Sequence, residues 1–65
     1  MPEITLFSKY NIGNIVLFRD HYDICRGTIV DCEFNHKTWN WEYEIVTKNN
    51  FRVKVEEKEI IGEWQ

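Results

Sequence analysis

Residues 39–46 read Trp-Asn-Trp-Glu-Tyr-Glu-Ile-Val. Trp39, Trp41, Tyr43 and Ile45 fall on one side of an extended chain, and Asn40, Glu42 and Glu44 fall on the other. Strict alternation in aromatic and β-branched residue types specifies a strand with one buried face. A helix would scatter the same aromatics around its circumference. The segment therefore makes a β-sheet the frame into which the rest of the chain must fit.

The following segment fixes how that strand is paired. Phe51, Val53 and Val55 share one face, while Arg52, Lys54 and Glu56 share the other. Directly opposed residues of an antiparallel pair lie on the same face. A two-residue Asn49-Asn50 turn would set Ile45 against Lys54 and mix core with solvent. A three-residue loop, Lys48-Asn49-Asn50, sets Ile45 against Val53, Tyr43 against Val55 and Glu44 against Lys54. The second register satisfies both faces. Such loops need one residue in the left-handed region, where asparagine is the best substitute for glycine.

Upstream, Tyr10 to Asn14 reads as a turn centred on Gly13, and Ile15 to Arg19 as a strand. Val16 and Phe18 share one face of it and Ile15 and Leu17 the other, which suits cover on one side by an N-terminal arm, residues 1–9. The arm could equally be an edge strand. Asp20-His21-Tyr22-Asp23 is a polar loop. Ile24 to Phe34 forms a long second strand in which Val30, Cys32 and Phe34 alternate with Asp31 and Glu33, and Ile29 falls out of phase. Gly27 and that slip predict a bend or bulge, where one strand can serve two packed layers. Asn35 to Thr38 is the next loop. Glu57 to Ile60 suits one 3₁₀ turn, and Ile61 to Trp64 a short last strand. The expected fold is all-β: one domain spanning residues 1–65, a five-stranded, strongly bent antiparallel barrel.

This layout resembles the Src-homology-3-like small barrels, the broad group that includes Tudor and KOW modules. Four segments carry the resemblance: Tyr10-Asn11-Ile12-Gly13-Asn14-Ile15-Val16, Gly27-Thr28-Ile29-Val30, Tyr43-Glu44-Ile45, and Val55-Glu56-Glu57 running on to Ile60. It spans residues 10–64 and implies a fold rather than one function, since such barrels host many roles.

Sixty-five residues with ten aromatic side chains set the functional question. A barrel this small encloses about five or six large side chains, so the others lie at its surface. Phase assigns Phe18, Phe34, Tyr43 and Phe51 to the core. Tyr22, Trp39, Trp41 and Trp64 sit in or beside loops. Tyr22, Trp39 and Trp41, rimmed by Asp20 and Asp23, then form a patch for a basic or apolar protein segment, because Trp and Tyr anchors dominate interfaces. In the competing reading, Trp39 and Trp41 are outer core beneath the N-terminal arm. Single-stranded nucleic acid is the alternative ligand, its bases stacking on the same aromatics and its phosphates meeting Arg19, Arg26, Lys37 and Arg52. A homo-oligomer, paired through the first strand or the arm, is the third reading.

Charge weighs against nucleic acid. The net charge is −3, and the surplus lies in Glu56, Glu57, Glu59 and Glu63 against Lys58, with residues 1–55 balanced. His21, Cys25, Cys32 and His36 are zinc-type ligands in a symmetric spacing, but residues four apart on a strand stand about 13 Å from each other. No metal or cofactor is expected. No cysteine is marked as an activated nucleophile, so catalysis is not expected either. Cys25 and Cys32, seven residues apart on one strand, would be separated by about 23 Å and face opposite ways, which predicts free, half-buried thiols. No apolar run approaches the roughly 18 residues of a membrane span and no signal-peptide core is present, so the expected location is cytoplasmic.

Overall fold

A computed structural model describes residues 7–64 of the chain, and most of the expected N-terminal arm lies outside the described residues. Five strands follow in order: β1 (Ile15–Asp20), β2 (Asp23–Asn35), β3 (Asn40–Thr47), β4 (Arg52–Glu56) and β5 (Ile60–Glu63). One 3₁₀ turn, Glu57–Glu59, joins the last two. All pairings are antiparallel, and the strand order is β4-β3-β2-β1-β5. The ladder does not close, so the expected barrel is a bent, open sheet with β4 and β5 as its edges. β1 pairs on both sides and offers no free edge, contrary to expectation.

The β3–β4 hairpin has the register that its two faces demand: Ile45 opposes Val53, Tyr43 opposes Val55 and Glu44 opposes Lys54. Its loop is closed by the Thr47 amide donating to the Phe51 carbonyl at 2.9 Å and the Asn50 amide donating to the Thr47 carbonyl at 2.9 Å. Asn50 takes the left-handed position, with φ 64°. The local chemistry and the face pattern thus agree on one solution.

The bend in β2 comes from one extra residue. Its first half pairs with β1 and its second half with β3, and Gly27 and Thr28 pair with both. Ile29 opposes Ile45, yet Asp31 opposes Glu44, so Val30 is left without a partner on β3. This bulge resets the side-chain phase. Gly27 and Ile29 point inward before it, Val30 and Asp31 are both exposed, and Cys32 and Phe34 turn back toward the core. The phase slip was legible, but Ile29 is the inward residue and Val30 the outward one. For the same reason Cys25 and Cys32 do not face opposite ways: both are free, half-buried and packed against the core.

Gly27 sits on the stretch of β2 that pairs with both β1 and β3. A Cβ there would collide with the Ile45 side chain and stand 2.9 Å from the Val46 carbonyl oxygen. Around it lie Tyr10, Val16, Phe18, Ile29, Tyr43, Ile45 and Ile60, the buried apolar core. Phe51 is not among them. It has the core phase but is 65% exposed, in the loop just before β4 begins.

Tyr43 ties three segments together. Its ring meets that of Tyr10 edge-on at 5.8 Å. Its hydroxyl accepts from the Tyr10 amide at 3.3 Å and donates to Glu57 Oε2 at 3.0 Å. The phenol pKa is pushed up from 10 to about 12, first by burial and then by the Glu57 carboxylate, against the opposing hydrogen bond from Tyr10. The native state thus keeps a proton that the unfolded chain releases near pH 10. The stability from this group is complete below that pH and is lost as pH rises toward 12. Urea titrations should show the unfolding free energy falling by about 2 kcal/mol from this group across that window. Tyr43→Phe should be less stable at neutral pH but flatter in that window. Equal slopes in the two proteins would refute this role for Tyr43.

Candidate functional site

The β2–β3 turn carries the densest group of aromatic side chains. Asn35 opposes Asn40, leaving four residues, 36–39, to reverse the chain. Asn35 organises them. Its carbonyl accepts from the Trp39 amide at 2.8 Å. Its side-chain oxygen accepts from the amides of Lys37 at 2.9 Å and Thr38 at 3.3 Å. Its side-chain nitrogen donates to Glu42 Oε2 at 3.4 Å. The last residue of the turn must then be left-handed, and that residue is Trp39, with φ 61°.

Glycine or asparagine would hold this position at less cost, since the left-handed region costs other residues about 1–2 kcal/mol. The sequence places its bulkiest side chain there instead. Strain of this kind gathers where a side chain must be aimed. Trp39 is 58% exposed. It meets Phe34 edge-on at 5.1 Å, and Phe34 in turn meets Trp41 at 5.3 Å and His36 at 5.0 Å. Trp41 is half-buried and rests on the core. Of the two competing readings of this tryptophan pair, each therefore fits one residue: Trp41 is outer core and Trp39 is surface.

Trp39 and Trp41 form one wall of a cleft of about 460 Å³, whose other lining residues include Lys9, Glu57, Lys58 and Ile60. The Tyr43 hydroxyl donates to Glu57, one of the lining residues, at the 3₁₀ turn. The cleft offers an aromatic face flanked by two cations and one carboxylate. Beside it, burial pushes the Cys32 thiol pKa up, opposed by a hydrogen bond with Ser8 and aided by the charges of Asp31 and Glu57. A thiol so placed stays protonated at neutral pH and is a poor nucleophile.

The expected patch is not assembled as one surface. Trp39 and Trp41 come together, but Tyr22, Asp20 and Asp23 lie at the opposite end of the thirteen-residue β2. There Asp20 pairs with Asp23 across a two-residue turn, His21 takes φ 56°, and Tyr22 is fully exposed. The acidic rim is therefore absent from the tryptophan cleft, and Lys9, Lys58 and Glu57 take its place. The four cations considered for nucleic acid divide in the same way. Lys37 stands in the β2–β3 turn, while Arg19 and Arg26 lie in the β1–β2 hairpin and Arg52 begins β4. His21 and His36 likewise occupy opposite ends of β2, and no cluster of three metal-ligating side chains occurs among the described residues.

Phe34, assigned by phase to the core, and His36, weighed only as a zinc-type ligand, belong to the cluster, and neither was placed in the expected patch. The signal was present: a four-residue turn after Asn35 puts Phe34 directly opposite Trp41. Comparison with protein-family models, curated proteins and solved structures gives no match. Among the described residues no helix is long and apolar enough to cross a membrane.

Two substitutions separate aim from stability at Trp39. Trp39→Ala loses the edge-on contact with Phe34 and keeps the left-handed strain, whereas Trp39→Gly loses the contact and relieves the strain. Thermal or urea unfolding should find the glycine variant more stable than the alanine variant by about 1 kcal/mol. The reverse order would show that Trp39 does not hold the left-handed conformation.

Proposed function

We propose that this chain is a non-catalytic, cytosolic interaction module that docks an apolar partner segment in the cleft between Trp39 and the 3₁₀ turn. One observation carries the reading: a tryptophan held at φ 61° with more than half its surface exposed, set edge-on against Phe34 and lining a cleft. The core does not need that ring, and a smaller residue would close the turn more easily. Aromatic anchors in such positions supply most of the energy of small interfaces. Lys9 and Lys58 on the rim favour a partner segment with carboxylates beside its apolar anchor, and Glu57 limits that preference.

The small-barrel resemblance supports the same reading. The strand order β4-β3-β2-β1-β5, the long shared β2 and the 3₁₀ turn before the last strand all fit a Src-homology-3-like or Tudor-like adaptor, open where a fully closed barrel would be sealed. The cleft lies between a hairpin turn and that 3₁₀ turn.

Selection of peptides from a displayed random library against the immobilised protein tests the proposal. The expected binders carry a large apolar residue, lose affinity at least tenfold against Trp39→Gly and Trp41→Thr, and bind Tyr22→Ala as they bind the unaltered chain. Circular dichroism confirms that each variant is folded. Binders indifferent to both tryptophans, or none selected at all, would overturn it.

A further inference from the structure

A second groove opens at the far end of the molecule, where the inner face of the sheet continues past the core. It spans about 520 Å³, within the range of ligand pockets, between the turn end of the β1–β2 hairpin and the tip of the β3–β4 hairpin. Cys25, Phe51 and Val53 form its apolar lining. Phe51 follows the core phase of Val53 and Val55, yet the described chain places nothing over it. Arg26, Lys48 and Arg52 stand along the groove, and Asp20 is the one carboxylate lining it among the described residues.

These cations are available to a ligand. Arg26 stands over the Trp64 ring, its guanidinium carbon 5.0 Å from the ring centre, and it makes no ion pair among the described residues. Lys48 makes no ion pair among the described residues, and Arg52 meets Glu44 at 3.5 Å in an exposed contact that competes weakly. A net cationic rim around an apolar floor is complementary to a carboxylate-bearing chain with an apolar anchor. The adjoining surface limits that chain's length. Asp31, Glu33, Glu42 and Glu44, with Cys32 and Lys54, line a depression on the other face of the sheet, and Glu44 is the residue that Arg52 touches from the β4 edge. A long polyanion passing over the Arg52 edge of β4 would meet those carboxylates, whereas a short segment would stay on the inner face.

We propose that this groove docks a short acidic peptide segment, its one large apolar side chain against Phe51 and Val53 and its carboxylates on Arg26, Lys48 and Arg52. The site is independent of Trp39 and stands at the opposite end of β2.

The native cysteines report on it directly. Cys25 lines the groove, while Cys32 lies outside it with a raised thiol pKa and serves as internal reference. Alkylation of both by iodoacetamide, followed by mass mapping, is measured with three probes: a short peptide of one leucine flanked by aspartates, its asparagine counterpart, and a short oligothymidine. The aspartate peptide should slow Cys25 alkylation at least fivefold and leave Cys32 unchanged. Arg26→Gln combined with Lys48→Gln should weaken that protection roughly three- to tenfold, as expected for exposed charge pairs. Phe51→Ser should remove it, and Trp39→Gly should leave it intact. All of these side chains are exposed, and a circular dichroism spectrum confirms each fold. Equal protection by the asparagine peptide, stronger protection by oligothymidine, or no protection by any probe would each overturn the assignment.

Discussion

One unpaired residue, Val30, governs how this sheet is built. Period-two alternation carried through an unbroken β2 would turn Cys32 and Phe34 outward once Gly27 and Ile29 face in. Tyr43 and Trp41 would then oppose polar residues. With Val30 bulged out, both halves of β2 present their apolar residues to one interior, and the strand bends enough to serve β1 with one half and β3 with the other. Gly27, at the overlap, has no side chain to hold β3 away from β2. The small core follows from these two positions.

The same geometry explains why two of the exposed aromatic residues, Trp39 and Phe51, remain outside. A sheet bent about Gly27 and Val30 encloses side chains near its middle and leaves the tips of its hairpins projecting. Trp39 closes one tip in a strained conformation, and Phe51 follows the loop at another with the right phase and no cover. Each tip has a cleft beside it, and the two clefts differ in their rims. Lys9, Lys58 and Glu57 border the first, and Arg26, Lys48 and Arg52 stand over the second. A module of this size can thus present distinct surfaces at the two ends of one long strand without enlarging its core.

Much of the fold was legible because the deciding information is local. The β3–β4 register follows from two alternating faces and the left-handed tolerance of Asn50, and the 3₁₀ turn from the loss of alternation after Glu56. What failed were inferences that extend a local rule over distance. Counting phase from Cys25 to Cys32 crosses the bulge, so the two thiols were placed on opposite faces. Phase also assigned Phe51 to the core, since alternation names a face but not what lies opposite. Tyr22 and Trp39 both occupy turns, yet turn chemistry says nothing of the full length of β2 between them. The edges β4 and β5 were hidden because strand order is set by long-range pairing. The aromatic site was half legible: Trp39 and Trp41 were found by composition, while the Asn35-centred turn that aims Trp39 shows only in the backbone.

The most direct test of this account is the cross-strand register on the far side of Val30, read by nuclear Overhauser effects between backbone protons of β2 and β3. The structure requires Ile29 to face Ile45 and Cys32 to face Tyr43 in the same molecule. Contacts from Cys32 to Tyr43, with none joining Val30 to Glu44 as a regular pair, are the predicted result. Contacts from Cys32 to Glu42, continuing the register of Ile29 without interruption, would contradict it.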